Sequence, residues 1–297
     1  MALEGLCVPI PTLFDDAGAL DAGKMTRFTR MLCDAKVDHV FALGTLGEFP
    51  LIDESERPVL LESVIESVSW HADAWVGCGA PSVRQAIRYA VGAAEAGAAV
   101  LVAVPPFFLK PSPEAILDYY RRIHAEVKLP LLAYNIPAHV GYALDPAWVH
   151  RLASEGVLAG IKDTSGSLES VRSFLSEAPA GFGVLPGDDL LALDALQSGA
   201  VGVIMGVANL VPKLCVELVR RARAGNIAGA RPLQELVNRV VGVIAQGPFP
   251  AVDKFLASQL RGVSVGYREP YRPLTADEEH RVRAALAPLE TELRPYR

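Results

Sequence analysis

The chain has 297 residues, 51% of them hydrophobic and 21% charged, with a net charge of −6. That length holds one large α/β barrel or two average domains, and the composition excludes a disordered chain. Charges of both signs are interspersed, so no basic stripe is offered to nucleic acid.

The first segment, "MALEGLCVPIPTLFDD", has a short apolar run with no basic residue before it, so no secretory signal is expected. A pattern then recurs: a short apolar or β-branched run, a turn, and a longer stretch with helical spacing. Eight runs carry it: "GLCVPIPTLF" (5–14), "HVFALGT" (39–45), "AWVGCGA" (74–80), "AVLVAVPP" (99–106), "PLLAYNIP" (130–137), "LAGIKDTS" (158–165), "GFGVLPGD" (181–188) and "AVGVIMGV" (200–207). Helices are predicted between them at 22–35, 54–70, 83–95, 113–127 and 168–178. The spacing is that of βα units, and continuously apolar strands are those of a parallel sheet buried on both faces. Eight such units predict a closed (β/α)8 TIM barrel of the α/β class. No GxGxxG follows the first strand and no GxxxxGK[ST] occurs, so nucleotide-binding folds are unsupported.

The longest apolar stretch, 196–212, is broken by Ser198, Gly199, Gly202, Gly206 and Asn209. None reaches the roughly 18 residues of a membrane span. Cys7, Cys33, Cys78 and Cys215 form no CxxC pair and read as reduced thiols of a cytoplasmic protein. After about residue 225 the alternation stops. Helices are expected at 226–246, 251–260 and 275–293, the last with Thr275 as N-cap and Glu278 three residues on. The expected organisation is therefore a catalytic barrel over 1–225 and a C-terminal helical extension over 226–297.

The functional face of such a barrel lies at the C-terminal ends of its strands. Thr45, Phe108, Tyr134, Lys162 and the Gly187-Asp188-Asp189 corner fall there. Strand alternation places Gly160 and Lys162 on one face and Ile161 on the other. A lysine amine held in a dry barrel is a nucleophile for a ketone, giving an imine that serves as electron sink. The alternative is a lysine that reaches solvent or pairs with Asp163 or Asp188. Tyr134 ends the neighbouring strand, where a phenol can relay protons. A packing role is equally open to it. The backbone N–H groups of the "GTLGE" turn (44–48) can receive a carboxylate, or the segment is a plain tight turn.

Together, in this order, these pieces resemble the dihydrodipicolinate synthase / N-acetylneuraminate lyase family of Schiff-base pyruvate aldolases. Gly44-Thr45-Leu46-Gly47-Glu48 is similar to its G[TS]TGE turn, and Tyr134-Asn135-Ile136-Pro137-Ala138-His139-Val140-Gly141 to its YNxPxxxG segment. Gly160-Ile161-Lys162-Asp163-Thr164-Ser165-Gly166 is similar to its GxKxxSG strand, and residues 187–212 resemble its seventh and eighth units. The resemblance implies that Lys162 forms the imine, Tyr134 relays protons and Thr45 positions Tyr134. It implies that the N–H groups of Thr45 and Leu46 hold the carboxylate of a pyruvate-type 2-oxo acid. Gly44, Ser165, Asp189, His139, Ile204 and Phe108 complete the expected substrate contacts. It further implies a homotetramer of paired dimers and no metal or organic cofactor, since the lysine is the electron sink.

Four departures narrow the substrate. Leu46 stands where most members carry a hydroxyl residue, and Phe108 where many present a relaying tyrosine across the dimer contact. His139 replaces the arginine that grips the second carboxylate in the synthase of lysine biosynthesis, a poor exchange for a bidentate fork. Leu190 stands where neuraminate lyases carry a glutamate. The expected reaction is the reversible aldol cleavage of a 2-keto-3-deoxy sugar acid to pyruvate and an aldehyde, with Asp189, Ser165 and His139 as candidate hydroxyl contacts. Its alternatives are a dehydratase on the same imine, an aldolase for a less polar, aromatic aldehyde, and a non-catalytic 2-oxo acid sensor.

Overall fold

The computed structural model describes residues 3–68 and 72–297. Eight parallel strands form one sheet: β1 Gly5–Pro9, β2 His39–Ala42, β3 Asp73–Gly77, β4 Val100–Ala103, β5 Leu131–Asn135, β6 Gly160–Asp163, β7 Gly183–Pro186 and β8 Gly202–Ile204. Each pairs with the next in sequence from β1 to β7, and β8 returns to β1 through Gly5↔Gly202 and Cys7↔Ile204. The Val201 N–H donates to Val184 O (3.2 Å), so the ring is nearly closed at its last seam as well. All eight expected runs are strands, and the fold is the (β/α)8 barrel.

A helix follows each strand: α1 Ala22–Asp34, α2 Arg57–Ile65, α3 Val83–Glu95, α4 Pro113–Glu126, α5 Pro146–Ser154, α6 Leu168–Leu175, α7 Ala192–Gln197 and α8 Pro212–Arg223. Their starts are chemically marked. Asp21, Ser112, Asp145 and Ser167 each accept a first-turn amide, with proline opening α4 and α5. α2 is shorter than the expected 54–70, because Asp53 and Glu56 close a turn before it and Pro58 sets its first turn. The far end of that expected helix, at Trp70, lies outside the described residues. α6 stops before 178, where Ser176 is extended and Glu177 has φ +63°.

Three further helices follow: α9 Ile227–Ile244, α10 Ala251–Arg261 and α11 Ala276–Leu286, the last opened by the Thr275/Glu278 capping box. α9 packs on α7 and α8, and α11 packs on α9. The segment between α10 and α11 turns back to the catalytic end of the barrel. Gly266 bridges Phe14 there, and Arg268 donates to Gly18 O (2.8 Å) and Leu51 O (2.9 Å) while pairing with Glu56. No helix among the described residues is long and apolar enough to cross a membrane.

Candidate active site

Lys162 lies on β6 with only 4% of its surface exposed, in register with Tyr134 on β5. Its Nζ sits 4.0 Å from the centroid of the Tyr134 ring and 5.1 Å from that of Phe41, so aromatic faces rather than water surround the amine. Among the described residues it forms no ion pair. Asp163, the neighbouring acid, is on the opposite face of the strand and is already engaged: it accepts from Asn135 Nδ2 (2.8 Å) and Ser165 Oγ (3.1 Å). Burial raises the Asp163 carboxyl above its usual range, against the pull of those hydrogen bonds. The reading in which Lys162 reaches solvent or pairs with Asp163 therefore has no geometric support. Room for the lysine comes from Gly187, where a Cβ would lie 2.7 Å from Lys162 Cε.

The loop after β2 brings Thr45 to this pair. Thr45 Oγ1 and Tyr134 Oη are 3.1 Å apart, a hydrogen bond that fixes where the phenol points. The turn around Thr45 is held from outside. Thr12 Oγ1 donates to Gly47 O (2.6 Å), and the Glu48 N–H donates to Thr45 O (3.0 Å) with Glu48 itself at φ +52°. Among the described residues, the N–H groups of Thr45 and Leu46 meet no acceptor. They form the kind of concavity that receives an anion.

Glu48 is 3% exposed, and its carboxylate pairs with Lys254 from α10, itself 0% exposed. The Lys254 ammonium also lies 4.4 Å from the centroid of the Phe14 ring. Neither residue was marked by the sequence reading as a partner of the other. Burial pushes the Glu48 carboxyl up and the Lys254 amine down, and their mutual attraction opposes both shifts.

The other expected contacts are placed unevenly. Gly44 packs on Phe41, where a Cβ would meet ring carbon Cε1 at 2.8 Å. Leu46 is buried at 7% exposure, and Ile204 is buried on β8. His139 is exposed on the single helical turn after β5 and lines the mouth of the barrel. Ser165 is engaged with Asp163 and receives the Ser167 N–H at 3.3 Å. The carboxylate of Asp189 receives the Val207 N–H (3.2 Å), and burial pushes its carboxyl up to about 7. Phe108, at φ +74° and 93% exposed, stands outside the mouth beside Lys110 and Pro111.

Two features of the site were missed in the sequence. Thr164 Oγ1 is buried beside Gly187 and has no hydrogen-bond partner among the described residues. It lies two residues beyond Lys162, just past the end of β6, and shares the face of the lysine. The second is an aromatic mouth, a cavity of about 280 Å3 beside Thr45 that takes in Phe49, Phe107, Phe249 and Tyr271. A larger groove, of about 1130 Å3, lies between α10, α11 and the 264–274 segment and holds none of the candidate residues.

A model of the dihydrodipicolinate synthetase family matches residues 2–289. The chain belongs to that family. Similar relatives include a DapA-like lyase of Halobacterium salinarum, 36% identical over 97% of this chain and 95% of that one. A 4-hydroxy-tetrahydrodipicolinate synthase of Thiobacillus denitrificans is 32% identical over 95% of this chain and 96% of its own length. Among solved structures, YagE, a prophage protein of the same family from Escherichia coli K12 in complex with pyruvate, superposes with a TM-score of 0.91. It is 29% identical over 98% of this chain and 99% of that one. As a member of the dihydrodipicolinate synthetase family, the protein is a class I carbon–carbon lyase that works through a lysine Schiff base.

Proposed function

We propose that the protein catalyses the reversible aldol cleavage of a 4-hydroxy-2-oxo acid of the 2-keto-3-deoxy type to pyruvate and an aldehyde, with Lys162 as the imine-forming amine. The observation that carries this reading is the buried Lys162, without an ion-pair partner among the described residues, against the face of Tyr134, whose hydroxyl is held by Thr45. The Lys162 amine adds to the C2 ketone and water leaves, giving an iminium. Tyr134 Oη takes the C4 hydroxyl proton, the C3–C4 bond breaks, and its electron pair moves into the iminium as the aldehyde departs. The enamine takes a proton at C3, and water then releases pyruvate and the free lysine. The N–H groups of Thr45 and Leu46 hold the C1 carboxylate throughout. Phe108 has no proton to relay, so the path runs through Tyr134, Thr45 and water.

His139 at the mouth supports a substrate without the second carboxylate that a dihydrodipicolinate synthase must grip. A cytoplasmic enzyme is supported by the four cysteines, all of them buried. A homotetramer of paired dimers is supported by Phe108 and Leu109, 93% and 75% exposed on one loop. The division into a barrel to residue 225 and an extension over 226–297 follows the end of the βα alternation at α8.

Enamine formation is tested by incubating the protein with pyruvate in D2O and following the methyl resonance by NMR. Exchange of the methyl protons, lost in Lys162→Met, is the expected result. A methyl group that stays protonated would remove the reading.

A further inference from the structure

The mouth of the barrel carries information about the half of the substrate that leaves as the aldehyde. We infer that this half is apolar, and aromatic in the best substrates; the inference rests on the imine reading above and names its substrate class.

The cavity of about 280 Å3 adjoins Thr45, which bonds Tyr134, which covers Lys162. It is therefore where the atoms beyond C4 must lie. It is near the small end of the range for small-molecule sites, a size suited to one ring rather than an extended chain. Its walls are Phe49, Phe107 and Phe249, with Val104, Ile136 and Val140 behind them. Phe49 and Phe107 already meet edge to face, with centroids 6.0 Å apart, leaving ring faces for a third aromatic group. Phe249 is 48% exposed although it is large and apolar, which fits a side chain waiting for an apolar partner.

The polar groups nearby are mostly spent. Glu48 lines the cavity, but its carboxylate belongs to Lys254. Thr45 is engaged with Tyr134, Ser165 with Asp163, and Asp189 with the Val207 amide. The hydroxyl of Thr164 lies beside Gly187, next to the Lys162 chain, and is not part of the cavity wall. His139 and the hydroxyl of Tyr271, 40% exposed at the rim, remain. A polyol aldehyde would leave hydroxyls unpaired against aromatic rings, at a cost of about tenfold or more in binding for each.

In the synthetic direction the step balances without a further reagent. C3 of the pyruvate enamine bonds to the aldehyde carbon, the aldehyde oxygen takes the Tyr134 proton, and water hydrolyses the imine to free Lys162 and a 4-aryl-4-hydroxy-2-oxo acid.

The test measures kcat/KM for benzaldehyde and for glyceraldehyde with saturating pyruvate, by product chromatography, on a preparation already assayed for methyl exchange. A preference for benzaldehyde of about a hundredfold is expected, the scale of discrimination that an apolar pocket reaches. In Phe249→Asn that preference should shrink to about tenfold, because the amide supplies a hydroxyl partner where a ring face stood. Equal or better use of glyceraldehyde would overturn the inference. So would a preference that Phe249→Asn leaves unchanged, or rejection of both aldehydes by protein that exchanges the pyruvate methyl. Absence of methyl exchange would instead bring down the imine reading, and this inference with it.

Discussion

Lys162 can extend into the barrel because residue 187, opposite it, has no side chain. Gly187→Ala is expected to crowd the lysine Cε and to lower kcat by about tenfold or more through misplacement of the amine. Circular dichroism should remain that of the wild type, and a kcat within twofold of wild type would show that the lysine tolerates the methyl group. Tyr134→Phe keeps the ring against the ammonium and removes the proton carrier. Its cleavage rate should fall about 100- to 10,000-fold, while pyruvate methyl exchange falls less, since the C4 proton is not involved in that exchange. Lys162, Tyr134 and Thr45 were legible because each lies at or just beyond the C-terminal end of a strand and each carries chemistry its apolar neighbours do not need. Thr164 was not, because threonine beside Ser165 and Gly166 reads first as a turn residue, and only the observed strand face shows its hydroxyl turned toward the lysine.

At the scale of elements, the loop that presents Thr45 is held by a helix from the far end of the chain. Lys254 on α10 and Glu48 in the turn form a buried ion pair, and Arg268 grips the same region through Leu51 O and Glu56. Replacing Lys254 by Met leaves the Glu48 carboxylate buried without a partner, which should lower unfolding free energy by about 3–5 kcal/mol in denaturant titration. Adding Glu48→Gln should restore most of that loss; a double variant as unstable as the single one would mean the lysine is held for its packing alone. The eight strands were legible because a parallel sheet buried on both faces leaves continuous apolar runs. Phe249, Lys254 and Tyr271 were not. Their roles depend on how the extension folds back over the barrel, and nothing in their local spacing records that return. Helix ends such as those of α2 and α6 were misjudged for a related reason: turn formation at Asp53–Glu56 and a left-handed residue at Glu177 override the propensity of the surrounding residues.

Across the whole molecule, two buried acids set a pH dependence of stability. Burial pushes the carboxyl of Asp253, whose Oδ2 is buried without a hydrogen-bond partner among the described residues, up to about 7, and that of Asp189 likewise. Between about pH 4 and 7 the unfolded chain has released these protons while the folded protein keeps them. Stability contributed by these groups therefore falls as pH rises through that window and levels off above it. Asp253→Asn, which keeps the neutral shape, should gain about 1–3 kcal/mol over the wild type at pH 8 and almost nothing at pH 4. Equal gains at both pH values, read by chemical denaturation, would show that Asp253 ionises as freely in the folded protein as in the unfolded chain. The barrel, its family and the position of the lysine all converge on one chemical event, the covalent capture of a 2-oxo acid. That event is read most directly by adding pyruvate and borohydride, then mapping the intact mass and its peptides. One pyruvate gained, less a water and plus two hydrogens, on Lys162 and on no other lysine is the result expected. An unmodified chain, or an adduct carried by a different residue, would contradict the assignment of Lys162.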